Sequence, residues 1–112
     1  MSKKGKLLIV DDNKNILSAV KMLTENYFEN VITLPSPASL VSTIQTENPD
    51  VLLLDMNFHA GINTGNEGIF WLNEVNSKFP KLKVVLFTAY DDVDLAVRAM
   101  KDGAFDFIVK PW

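Results

Sequence analysis

There is no cysteine among the 112 residues. Disulfides, thiolate nucleophiles and cysteine-ligated zinc are therefore excluded. Histidine is scarce too: the one present, His59, is read as a solvated loop residue rather than a ligand or phosphodonor. Long apolar runs are missing. The first, Leu7 to Val10, is four residues and ends at Asp11-Asp12, too short for a signal-peptide core, and no run approaches a membrane span. A cytoplasmic location, away from any membrane, is the expectation. No charge sign dominates: 11 Lys plus Arg against 14 Asp plus Glu leave a net charge of −3, which argues against direct nucleic-acid contact through bulk electrostatics. No glycine-rich nucleotide loop or Walker motif occurs.

What remains is an ordinary globular composition, 47% hydrophobic and 22% charged, of single-domain length. Two kinds of apolar segment alternate. Leu7 to Val10, Val51 to Leu54 and Val84 to Phe87 are short continuous runs, suited to strands buried on both faces of a parallel sheet. Val31 to Leu34 and Phe105 to Val109 are weaker, as edge strands would be. Between them lie helical stripes expected to face the core. They are Ile16, Ala19, Val20, Leu23 and Tyr27; Leu40, Val41 and Ile44; Ile69, Leu72, Val75 and Phe79; and Val93, Ala96, Val97 and Met100. Ser36 with Pro37 is expected to open the second helix, and Gly103 to close the fourth. Strict β-α alternation predicts an α/β fold with a parallel sheet and right-handed crossovers.

The acids fall in one place. Asp11 and Asp12 end the first strand and Asp55 the third, Thr88 ends the fourth, and Lys110 follows the fifth. In an open parallel sheet, ligands bind beyond the carboxyl ends of the strands, where the strand order reverses. With strand 1 beside strand 3, as an order of 2-1-3-4-5 requires, three carboxylates converge. Three like charges in one crevice need either a proton on one of them or a cation among them. An all-oxygen cluster with few ligands suits Mg²⁺. Lys110 and the Thr88 hydroxyl add a positive charge and a donor, which completes a site for a phosphoryl group. Aspartate at a strand end often makes only a turn or a cap, but turn chemistry does not account for all these groups at the same end of different strands.

The pattern resembles a response-regulator receiver domain of two-component signalling, with a flavodoxin-like three-layer fold. The resemblance rests on Val10-Asp11-Asp12, on Asn48-Pro49-Asp50 running into Val51 to Asp55, on Thr88-Ala89 and on Lys110-Pro111. The stretch from Thr88 to Phe107 is most similar to receivers of the NtrC type. The resemblance implies that Asp55 is the phosphoacceptor, charged by a sensor histidine kinase. It implies that Asp12 binds Mg²⁺ directly, that Asp11 helps to hold it, and that the Asn57 backbone carbonyl completes the metal shell. Thr88 and Lys110 are implied as phosphoryl-binding groups, Ala89 as a small residue that leaves access, Thr88 and Phe107 as the switch pair, and Lys110-Pro111 as a cis dipeptide. Such a domain is a signalling module rather than an enzyme. Residues 1–112 would be the receiver, and an output domain, controlling transcription, would lie in a longer chain.

Two features differ from the family's usual pattern. The segment from Met56 to Gly68 is long for a strand-to-helix connection, which takes about two to six residues, and it lacks proline. The sequence also ends directly after the fifth apolar run, so no fifth helix is expected within it. The first helix would then cover its face of the sheet alone, and the apolar side chains on that side, drawn from Val84 to Phe87 and Phe105 to Val109, are expected to meet water or a second copy of the chain, as in a homodimer. The other readings are weaker. A dehalogenase-type phosphatase needs Asp-x-Asp after strand 1, where Asn13 stands here. An EF-hand loop needs Gly at Ile16 and Glu at Met22. A phosphorylation-independent protein-binding module of the same fold is the remaining alternative; retention of Asp55, Thr88 and Lys110 ranks it second.

Overall fold

The computed structural model describes residues 5–56, 66–88 and 93–109. Five strands, β1 (Lys6–Val10), β2 (Asn30–Leu34), β3 (Val51–Asp55), β4 (Lys83–Thr88) and β5 (Asp106–Val109), alternate with helices α1 (Lys14–Thr24), α2 (Leu40–Glu47), α3 (Asn66–Lys78) and α4 (Val93–Lys101). The strands form one parallel sheet in the order β2-β1-β3-β4-β5, the order in which strand 1 adjoins strand 3.

The continuous apolar runs do what a two-faced sheet demands. Leu8, Val10, Leu52, Leu54, Val84 and Leu86 point to one face, where Leu40 and Ile44 of α2, Ile69, Leu72 and Val75 of α3 and Ala99 of α4 cover them. Leu7, Ile9, Leu53 and Phe87 point to the other, where Ile16, Leu17 and Val20 of α1 meet them. The result is three layers. Each large side chain sealed in these clusters contributes about 1.5–3 kcal/mol. The two edge strands are less buried than the three central ones, in keeping with their weaker apolar runs.

Three expectations need correction. The core stripe of α1 is shorter than its periodicity suggests. The helix ends at Thr24, whose Oγ1 donates to the Val20 carbonyl at 2.8 Å. Leu23 and Tyr27 are 63% and 75% exposed, and Phe28 packs on the cluster in their place. In α4 the buried face is Ala96 and Ala99, while Val97 and Met100 are exposed; small residues let the helix approach the sheet, so side-chain size is a poor guide to its inner face. Ser36 caps a 3₁₀ turn (Pro37–Ser39), accepting from the Ala38 N–H at 3.3 Å, rather than α2 itself.

Gly103 ends α4 as expected, with φ +110°. The Ala104 N–H donates to the Ala99 carbonyl at 3.2 Å and the Gly103 N–H to the Met100 carbonyl at 3.2 Å, a Schellman closure. Of the side chains expected to meet water on the α1 face, Ile108 is 50% exposed but Phe87 is buried. Phe105 is exposed, with the Lys83 ammonium 5.2 Å from its ring centroid.

Candidate functional site

β1 stops at Val10, but its pairing with β2 runs one step further: the Asp11 N–H donates to the Leu34 carbonyl at 3.1 Å. This holds the Asp11 backbone at the carboxyl edge of the sheet. Its side chain is oriented by the turn that follows. Asp11 Oδ1 accepts from the Asn13 N–H at 2.9 Å. Asn13 Oδ1 in turn accepts from the Asn15 and Ile16 N–H groups at 2.9 and 3.2 Å, capping α1. One turn thus orients a carboxylate and starts a helix. Asn13's part in this was not read from the sequence, although an N-cap residue just before a periodic helix is a recognised signal.

Asp55 is the last residue of β3 and is in register with Phe87 of β4. The Met56 N–H donates to the Phe87 carbonyl at 3.1 Å, which extends the pairing past the carboxylate. Asp11 and Asp55 are each only 1% exposed, whereas Asp12 is exposed between them and solvent. One carboxylate oxygen from each of Asp11, Asp12 and Asp55 lies within 4.8 Å of the other two. The convergence expected from strand order is therefore present.

This geometry concentrates negative charge. At an effective dielectric of about 20, two unit charges about 4 Å apart repel by about 4 kcal/mol, and burial of two of the three acids raises the cost. A hard divalent cation relieves it. Three carboxylate oxygens, one open to water, fit Mg²⁺, which keeps several waters and shares its remaining positions with phosphate oxygens.

The other expected site residues divide into two groups. Thr88, the last residue of β4, is fully buried and in register with Val109. Phe107 is half-buried, in register with Leu86, and packs against the larger core cluster. Thr88, Leu86 and Phe107 lie on one face of the sheet by strand alternation and register, so the two residues expected to form the switch are near neighbours. Asn57, Ala89 and Lys110, and with them the Lys110-Pro111 bond, lie outside the described residues, as does most of the long connection after Met56.

The sequence profile of the response regulator receiver domain matches residues 7–112. The chain belongs to that family.

As a receiver domain it is similar to the DNA-binding transcriptional regulator NtrC of Klebsiella pneumoniae, with 31% identity over 97% of this chain and 22% of that protein. It is also similar to the alginate biosynthesis transcriptional regulatory protein AlgB of Pseudomonas aeruginosa, with 32% identity over 97% of this chain and 23% of that one. The chain thus spans less than a quarter of the curated relatives it matches. Among solved structures it resembles the N-terminal signal receiver domain of a two-component response regulator from Bacteroides fragilis. The two are 56% identical, with a TM-score of 0.88 over 98% of this chain and 87% of that one. NtrX from Brucella abortus aligns with a TM-score of 0.85 at 26% identity, over 97% of this chain and 24% of that chain. This receiver is NtrC-like, and no described helix of it is long and apolar enough to cross a membrane.

Proposed function

We propose that this receiver accepts a phosphoryl group on Asp55 from a phosphohistidine of a sensor kinase, in a reaction that needs Mg²⁺. The observation that carries the reading is the meeting of the Asp11, Asp12 and Asp55 carboxylates within 4.8 Å, beside the buried Thr88 at the end of the neighbouring strand. An Asp55 oxygen attacks phosphorus, and the oxygen–phosphorus bond forms as the phosphorus–nitrogen bond breaks. The electron pair returns to the imidazole nitrogen, which takes a proton from solvent. When bound, Mg²⁺ neutralises charge on the phosphoryl oxygens as it develops.

The chain's own groups do the rest. Asp12 and Asp11 would hold the cation beside Asp55, with the Asn57 carbonyl as a further ligand. Lys110 offsets charge on the phosphoryl oxygens, the Thr88 hydroxyl donates to one of them, and Ala89 leaves room for the donor. Thr88, once drawn toward the phosphoryl group, leaves space that the Phe107 ring fills, which biases a two-state packing at α4 and β5. The domain works as a switch in the cytoplasm, with an output region in a longer chain. The similarity to NtrC and AlgB, both named as transcriptional regulators, supports control of transcription as that output.

Titration with beryllofluoride and Mg²⁺, followed by amide shifts, tests the reading. Saturable shifts at Asp55, Thr88 and along α4, dependent on Mg²⁺, are expected. A spectrum unchanged by both additions would overturn it.

A further inference from the structure

Gly68 is the third residue of α3, although glycine is a poor helix former. Its φ is not in the left-handed region, so backbone conformation does not require glycine. Space does. A Cβ at residue 68 would lie 2.8 Å from the Met56 Cα, 2.8 Å from the Met56 carbonyl oxygen and 3.0 Å from its Sδ. The sulfur could swing aside, but the two backbone atoms could not.

Met56 has little freedom to yield. It is fully buried, its N–H is held by the Phe87 carbonyl at 3.1 Å, and its side chain belongs to the cluster formed by Leu54, Ile69 and Leu72. It is also bonded directly to Asp55. A side chain at residue 68 must therefore either lift the start of α3, uncovering Ile69 and Leu72, or push the end of β3 and the carboxylate it carries.

We propose that Gly68 is a positioning residue for the acidic cluster, its bare Cα letting α3 press on the Met56 backbone and hold Asp55 at the separation from Asp11 and Asp12 that a divalent cation bridges. This rests on the reading of the three carboxylates as an Mg²⁺ site. Groups that orient metal ligands without touching the metal change affinity by about 10- to 100-fold when lost; Gly68 acts one residue further off, through Met56, so the low end of that range is expected.

The test compares Gly68→Ala with Leu72→Ala, a buried α3 residue whose truncation loosens the same helix without pressing on Met56. Mg²⁺ affinity is measured by amide-shift titration with no phosphodonor present, and thermal midpoints are measured without metal. Gly68→Ala is expected to weaken Mg²⁺ binding about tenfold and to shift the Asp55, Met56 and Phe87 amides in the metal-free protein. Leu72→Ala is expected to lose stability and keep its affinity. Equal affinity in Gly68→Ala and wild type, with only a lowered midpoint, would overturn the proposal and leave Gly68 a packing residue. A wild-type chain that binds no Mg²⁺ would overturn the site reading itself, and the proposal with it. Should Gly68→Ala not fold in dilute buffer, it and the wild type are both titrated in trimethylamine N-oxide, an osmolyte that favours the folded state by its exclusion from the protein surface. Weaker Mg²⁺ binding than in the wild type is then expected, and equal binding would again overturn the proposal.

Discussion

Asp11 and Asp55 are neighbours because Val10 and Leu54 are register partners on adjacent parallel strands, and each acid is the next residue along. Parallel strands lie about 4.8 Å apart, so this register alone brings the two carboxylates to the same edge. Asp12, one residue further, stays exposed and closes the cluster from the solvent side. A slip of one residue in the β1–β3 pairing would separate the pair and turn one strand's apolar side chains to the wrong face.

Mg²⁺ should therefore stabilise the fold. A ligand bound only by the native state adds RT ln(1 + [L]/Kd), about 2.7 kcal/mol at a hundredfold excess over Kd. Melting curves should move upward with Mg²⁺ and return on addition of chelator. A midpoint indifferent to saturating metal would mean the cluster holds no cation.

Neutralising one acid should have the opposite signature. Asp55→Asn removes one of three mutually repelling charges, and in metal-free buffer this should raise stability by a few kcal/mol, with roughly 4 °C in the midpoint for each. The same variant should lose most of the stabilisation by Mg²⁺. Denaturant unfolding with and without metal measures both effects. A variant that is less stable without metal yet still responds fully to Mg²⁺ would show that repulsion is not the governing term.

A side chain at residue 103 should be costly. The Gly103 φ of +110° disfavours any L-residue, and a Cβ there would lie 2.7 Å from Asn76 Nδ2, the atom that donates to the Asp102 carbonyl at 3.3 Å. Gly103→Ala should cost about 1–2 kcal/mol in urea unfolding. Because Gly103 precedes β5, at the amino end of the parallel strands and so at the opposite edge from the carboxylates, Mg²⁺ affinity should be unchanged.

Thr88 and Phe107 should transmit the signal together. Beryllofluoride should alter hydrogen exchange along α4 and β5 in the wild type. Thr88→Ala should abolish most of that change while retaining Mg²⁺ binding. Phe107 has no hydroxyl, so its two positions differ in packing alone, and Phe107→Ala should blunt the exchange response without moving the Mg²⁺ titration. An undiminished response in Thr88→Ala would remove Thr88 from the coupling.

The sheet was legible in the sequence because its strands are buried on both faces, and a continuous apolar run as short as Val51 to Leu54 suits a buried parallel strand better than any helix. The acids were legible because a parallel sheet sends every strand end to one edge. What the sequence hid depends on distances between elements. Leu23 and Tyr27 continue α1's periodicity, yet the chain turns away at Thr24, and periodicity carries no information on where a helix leaves the sheet. Ala96 and Ala99 bury themselves because α4 lies close, so the larger Val97 and Met100 drew attention to the wrong face. Gly68 gave no sign at all: only the nearness of the Met56 backbone accounts for it.

The most direct measurement is the intact mass of the chain after incubation with acetyl phosphate and Mg²⁺. The wild type should gain one phosphoryl group, and both Asp55→Asn and wild type in excess chelator should gain none. Equal labelling of Asp55→Asn, or undiminished labelling in chelator, would contradict the assignment of Asp55 as an Mg²⁺-dependent phosphoacceptor.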